Sequence, residues 1–220
     1  GVQTCALPIL SHDKGRTFDT IKHTFEGLGY AVQHRVLNAC YFGVGQKRER
    51  LIVIGIRNDL ADKAVFEYPE PDKEQTTLRD VLQNVPDSPY QPYSEKKRKV
   101  MAMVPPGGCW VDLPDDVARE YMGKSYFSGG GRRGMARRIA WDEPCLTLTT
   151  SPSQKQTERC HPDETRPFTV REYARIQSFP DDWQFEGAIG DQYKQIGNAV
   201  PVELARRVGV EIVRALRSCN

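Results

Sequence analysis

The sequence predicts an α/β chain: a helix and a two-stranded hairpin, then a long loop-rich module, then a helix that turns back. Three observations carry this. Residues 14–28 place Phe18, Ile21, Phe25 and Leu28 at helical spacing. Residues 30–56 contain two runs of β-type composition. Between residues 58 and 165 periodicity weakens and prolines recur, from Pro69 to Pro114.

Each element has a local cause. The first helix ends at Gly27 and Gly29. Tyr30, Val32, His34 and Val36 alternate with polar residues, as on a strand with one wet face, and a polar link follows over 43–50. The run Leu51-Ile52-Val53-Ile54-Gly55-Ile56 reads as a strand buried on both faces. Within the irregular module, Thr76–Val85 suits a short helix and Cys145–Thr150 a short strand. Thr169 and Glu172 have the spacing of a capping box, Pro180 stops the helix it opens, and Asp181-Asp182 suit a turn. Gly197-Asn198 then lead to Pro201 and a helix reaching about Arg217, with Leu204, Val208, Ile212 and Leu216 on one face. A glycine-rich lead-in to a helix is expected to offer free amides to a ligand.

Composition narrows the class. Of 220 residues, 39% are hydrophobic and 27% charged, and the net charge is +2, which suits an ordinary globular chain and gives no global attraction to nucleic acid. The cysteines at 5, 40, 109, 145, 160 and 219 form no C-x-x-C pair, which argues against a zinc site or disulfide framework and for a reducing compartment. No apolar run is long enough for a membrane span. The first nine residues, GVQTCALPI, lack a charged lead and do not make a signal peptide. They resemble a translated sequencing adaptor and are set aside from the fold.

Positive charge is clustered. Lys96 to Lys99 make one knot, readable as a phosphate-binding face or as solvated surface; Arg132, Arg133, Arg137 and Arg138 make another among small residues. Arg48 and Arg50 stand two apart and share a side if the segment is extended, so two guanidinium forks suit a phosphate with a base edge or carboxylate. An exposed charged turn is the alternative.

The series GYAVQHRVLNACYFGVGQKRERLIVIGIR, then RPFTVREYARIQSFPDDW, then QIGNAVP resembles the C-terminal half of a DNA cytosine-C5 methyltransferase, in the order of that family's eighth, ninth and tenth motifs. The likeness runs from about Leu10 to the end. Gly45 departs from it, since the family more often has proline there. The resemblance implies the last part of a Rossmann-like large domain that binds S-adenosylmethionine, plus a small target-recognition domain. Its boundaries would be 10–57 and 197–220 for the large domain and 58–196 for the small one. It implies that Arg50 contacts O2 of a cytosine flipped out of duplex DNA, with Gln46 and Arg48 positioning backbone and loop. Asn198 and Ala199 would lie beside the cofactor, while Arg166, Thr169, Glu172 and Arg175 would brace the recognition region. Leu146 to Thr149 resembles the threonine-leucine element near the base-reading loops.

Base reading is expected from Ser151 to Arg159, with Gln154, Lys155, Gln156 and Arg159 as donors, and from Arg132, Arg133, Arg137 and Arg138. Tyr126 and Phe127 suit core packing or stacking near DNA. Pro144-Cys145 echoes the family's catalytic proline-cysteine but stands in the recognition region, and Gly129-Gly130-Gly131 follows no apolar strand, so neither is read as a catalytic or cofactor motif.

The implied reaction moves a methyl group from S-adenosylmethionine to carbon 5 of cytosine, after a thiolate adds to C6. The family's nucleophile, glutamate and cofactor glycine loop all belong before residue 10, so no methyl transfer is expected from these residues alone. The implied partners are double-stranded DNA and the catalytic half, in the same polypeptide or on a partner subunit, with no membrane and no metal. The setting would be the cytoplasm of a prokaryote, or a phage, with a restriction-modification role. A split enzyme or a non-enzymatic DNA-binding module are the alternative readings.

Overall fold

The computed structural model describes residues 8–127 and 134–219. A short helical turn, α1 (Pro8–Ser11), precedes α2 (Arg16–Gly27), which lies on one face of an antiparallel pair made by β1 (Tyr30–Asn38) and β3 (Glu49–Arg57). The register sets Tyr30 opposite Arg57 and Asn38 opposite Glu49. Phe18 and Phe25 of α2 meet His34 and Tyr30 edge to face, so the Tyr30-Val32-His34-Val36 side is the helix side.

On the other face, Leu37, Ile52, Ile54 and Ile56 pack with Phe66, Tyr68 and the last helix, α8 (Val202–Arg217). Both faces of β3 are therefore occupied, yet none of its residues is fully buried, and Val53 is exposed. That corrects the expectation of a strand sealed on both sides. The apolar stripe of α8 is likewise only half used: Leu204, Val208 and Ala215 are buried, while Ile212 and Leu216 rim an open apolar cavity of about 240 Å³ against Ile54, Ile56 and Phe66.

The link between β1 and β3 is not a solvated loop. A 3₁₀ turn (Ala39–Tyr41) and β2 (Gln46–Lys47) run through the interior, with Ala39, Cys40, Phe42, Val44 and Gln46 buried. Strand β2 pairs in parallel with β4 (Cys145–Leu146), tying the hairpin to the irregular module. A Cβ on Gly45 would run into the Val81 side chain, so glycine lets α3 (Leu78–Val81) pack close.

The module has two cores. One gathers Leu78, Ile139, Cys145, Leu148 and Phe168 with α6 (Val170–Ile176) and α7 (Ile189–Asn198). The second joins α4 (Glu95–Ala102) and α5 (Asp115–Met122) through Tyr93, Met101, Val104, Leu113, Ala118 and Cys160.

The capping box forms at α6: Thr169 Oγ1 accepts from the Glu172 amide at 3.2 Å, and the Glu172 carboxylate accepts from the Thr169 amide at 2.7 Å. The helix stops before Pro180, where Ser178 takes a left-handed φ of 61° and the Phe179 amide reaches back to the Ala174 carbonyl. Thr169→Ala is expected to cost about 1 kcal/mol. For a chain of this size that lowers the midpoint of thermal unfolding by about 2–4 °C in a circular-dichroism melt.

Candidate functional site

The segments that carry the quoted motifs meet in the interior. Gln46 is fully buried; its amide donates to Gln177 Oε1 at 2.7 Å, and its own oxygen accepts from the Leu148 amide at 3.1 Å. Gln177, also fully buried, donates onward to the Ile196 carbonyl at 2.8 Å and the Ala199 carbonyl at 3.4 Å. Arg48 is buried alongside. Its guanidinium donates to the carbonyls of Leu148 (3.0 Å), Gly197 (2.9 Å) and Ala199 (3.1 Å). Gln46, Arg48 and Gln177 thus join four chain segments that are far apart in sequence. Gln177 lies within the quoted stretch, but a glutamine after an apolar helix face carries no local mark of such a role.

Arg48 and Arg50 do not share an environment. Arg48 falls in the break between β2 and β3, while Arg50 lies within β3, half-buried, and donates to the Glu49 carbonyl at 2.8 Å. The extended-segment argument fails because the chain changes partner between them, from β4 to β1.

The Gly197-Asn198 lead-in also differs from expectation. Both residues close α7, and glycine is required at 197 because a Cβ there would overlap the Thr149 carbonyl. The first amides of α8 are not free. Val202 N–H donates to the Gln177 carbonyl at 3.2 Å and Glu203 N–H to the Ser178 hydroxyl at 2.9 Å, so the end of α6 caps α8. Ala199 has its N–H on the Ile196 carbonyl, and its own carbonyl accepts from Arg48 and Gln177. Asn198 is exposed, and among the described residues its side-chain amide makes no hydrogen bond. The α7–α8 turn therefore offers a ligand one side-chain amide rather than a cradle of backbone donors.

The remaining residues of this stretch brace the module. Arg166 forks onto Glu172 (2.7 and 2.9 Å) and Glu164 (3.0 and 2.7 Å). Arg175 bridges Asp181 to the carbonyls of Val81, Gln83 and Asn84 at the end of α3. His161 is buried beside them; its Nδ1 accepts from the amides of Asp163 and Glu164, both at 3.2 Å, and its Nε2 faces Glu172 at 3.7 Å. Burial pushes its pKa below the ordinary histidine value, against the pull of Glu172.

Three of the eight expected base readers are engaged within the module. Arg138 is buried and its guanidinium bonds Met101, Val104, His161, Pro162 and Glu164 carbonyls and the Thr165 hydroxyl, which occupies every donor. Arg137 forks onto Glu143 at 2.6 and 2.7 Å and reaches the Gly107 carbonyl. Arg159 is buried and donates to the carbonyls of Glu158 and Thr147. Arg138 and Arg159 are buried, so a base-reading role for these two is corrected to a structural one, while Arg137 is half-buried and held by Glu143. Arg132, Arg133 and Gly129 to Gly131 lie outside the described residues. Gln154, Lys155 and Gln156 are exposed around a 3₁₀ turn (Lys155–Thr157).

Three lysines of the knot on α4 are paired: Lys96 with Glu120, Lys97 with Glu158 and Lys99 with Glu95. Tyr126 packs edge to face on Trp110, while Phe127 is 75% exposed. Cys145 is fully buried and its thiol pKa is pushed up to about 12 by burial, the wrong direction for a nucleophile. Among the described residues, no group of His, Cys, Asp and Glu could hold a metal, and no helix is long and apolar enough to cross a membrane.

The fold has solved counterparts among methyltransferases. The Dnmt2 methyltransferase of S. pombe superposes with a TM-score of 0.59 at 14% identity, covering 94% of this chain and 64% of that one. A profile of the C-5 cytosine-specific DNA methylase family matches residues 7–214, and the chain belongs to that family. The Type II methyltransferase M.Sau96I of Staphylococcus aureus is 59% identical over 214 residues, 96% of this chain and 50% of the relative. M.Eco47II of Escherichia coli is 54% identical, over 96% of this chain and 53% of the relative. The chain spans about half the length of these relatives.

Two outcomes test the site. Gln46→Leu and Gln177→Leu each strand a buried amide, at a cost of roughly 1–3 kcal/mol. The double variant should cost less than their sum in urea unfolding. For His161, the folded pKa lies below the unfolded value of about 6.5, so the unfolded state binds more protons between the two. Its contribution is intact above that value and is lost as pH falls below it. His161→Asn, which can still accept the two loop amides, should flatten the loss of stability between about pH 7 and 5.

Proposed function

We propose that this chain is the DNA-recognising and substrate-positioning portion of an enzyme that methylates carbon 5 of cytosine in duplex DNA, in a restriction-modification setting. The observation that carries this is the buried junction of Gln46, Arg48 and Gln177. It brings the 46–50, 166–180 and 196–201 segments together as one unit, in a chain that belongs to the cytosine-C5 methylase family. The naming of the relatives as Type II methyltransferases supports the restriction-modification setting.

In this reading the eighth-motif segment delivers Arg50 to the flipped cytosine, while Gln46 and Arg48 hold that segment in place from the interior. S-adenosylmethionine would supply the methyl group when bound. Asn198 fits as a contact to it, because its amide is exposed and uncommitted, whereas Ala199 has no polar atom left to give. None of the buried thiols suits the nucleophile, Cys145 least of all. The catalytic half, in the same polypeptide or on a partner subunit, would cover the apolar cavity between β3 and α8.

The test is complementation. The chain alone should transfer no tritiated methyl group, and mixing with a polypeptide carrying the first half of the S. aureus relative should restore transfer to duplex DNA. Arg50→Ala should then reduce transfer by about tenfold or more, as loss of a charge-assisted contact does, while duplex binding in a filter assay persists. Transfer by the chain alone, or transfer indifferent to Arg50→Ala, would count against the proposal.

A further inference from the structure

Lys97 is the one member of the lysine knot that turns inward. Its ammonium lies 2.6 Å from the fully buried Glu158 carboxylate and donates to the Ser153 carbonyl at 2.5 Å, with the Tyr93 ring 5.1 Å away. Ser153 and Glu158 are the two ends of the exposed tip that presents Gln154, Lys155 and Gln156. One cation thus grips both ends of a six-residue span. The tip is fastened from a second side by α5, since Tyr121 donates its hydroxyl to Glu158 at 3.3 Å and its carbonyl accepts from Lys155. Inside the tip, the Thr157 amide closes onto the Gln154 carbonyl at 3.0 Å, and the Thr157 hydroxyl meets that of Thr149 at 3.1 Å.

Exposed glutamines are suited to adenine edges and a lysine to guanine acceptors, but a reading group must be held to within a fraction of an ångström to discriminate. We propose that Lys97, through its buried pair with Glu158, is a positioning residue that sets base preference by fixing the 153–158 tip, with Gln154 and Gln156 as the reading side chains. The proposal rests on the DNA-recognition reading above. It removes Lys97 from the phosphate-binding face and assigns it to specificity.

The consequence is separable from simple folding. Contacts to phosphates carry affinity without sequence information, so loosening the tip should leave bulk duplex binding in place and erase preference. The experiment uses the full chain, a randomised duplex pool at low salt with selection and sequencing, and hydrogen exchange of the free protein. Lys97→Met alone leaves Glu158 buried without its partner, so the Lys97→Met/Glu158→Gln double variant is the control that keeps the interior neutral.

Both variants should speed exchange at residues 154–158 by about tenfold or more, with the α6 and α7 amides unchanged. Enrichment of preferred sequences should fall about tenfold, while binding to the unselected pool stays within about threefold. Gln154→Ala and Gln156→Ala should shift which sequences are enriched. Retained exchange protection or retained preference in the double variant overturns the role of Lys97 and leaves the functional reading standing. A wild-type chain that binds the pool with no preference overturns both the tip as a reader and the proposal built on it.

Discussion

The interior amide pair of Gln46 and Gln177, with Arg48 beside it, is the constraint on which the rest of the arrangement depends. Polar side chains are costly to bury unless every donor and acceptor is matched. Here the matching is done almost wholly by backbone groups of Leu148, Ile196, Gly197 and Ala199. The hairpin, the loop-rich module, the capped helix and the α7–α8 turn therefore cannot move independently. Displacing any one would leave at least one buried amide or guanidinium unpaired. The close contact of Gly197 with the Thr149 carbonyl acts in the same place, by shape rather than polarity.

The local features of the fold were legible in the sequence, because short-range physics decides them. The spacing of Phe18, Ile21 and Phe25 makes α2, the alternation after Tyr30 makes β1, and Thr169 with Glu172 closes the box that starts α6. What was illegible depends on partners distant in the chain. Nothing around Gly197 signals that the Thr149 carbonyl lies against it, and nothing around Ser178 signals that its hydroxyl caps a helix 25 positions later. The free amides expected before α8 were a sound inference from local pattern that tertiary contacts override.

The arginines show why charge clusters mislead in a module with little regular structure. Helices and sheets satisfy their own carbonyls, whereas the loops from Asn58 to Thr165 leave many acceptors turned inward. Arg137, Arg138 and Arg159 supply the missing donors. Their positive charge is a by-product of having planar forks with several N–H groups. From sequence, a guanidinium that binds carbonyls and one that binds phosphates look the same. The distinction lies in burial, which leaves Gln154, Lys155 and Gln156 as the described candidates still facing solvent.

Arg138 bonds five main-chain carbonyls and one hydroxyl, and no carboxylate among them. Apart from the Thr165 hydroxyl, what it recognises is main chain, which is blind to the identity of the residues it holds. Substitutions at 101, 104, 161, 162 and 164 can accumulate over evolutionary time without any compensating change at 138, provided the loop keeps its path. Among diverging relatives, such a position would stand fixed with Thr165 as its one side-chain companion among the described residues. Methods that infer contacts from correlated change would pass over one of the most connected side chains in the molecule.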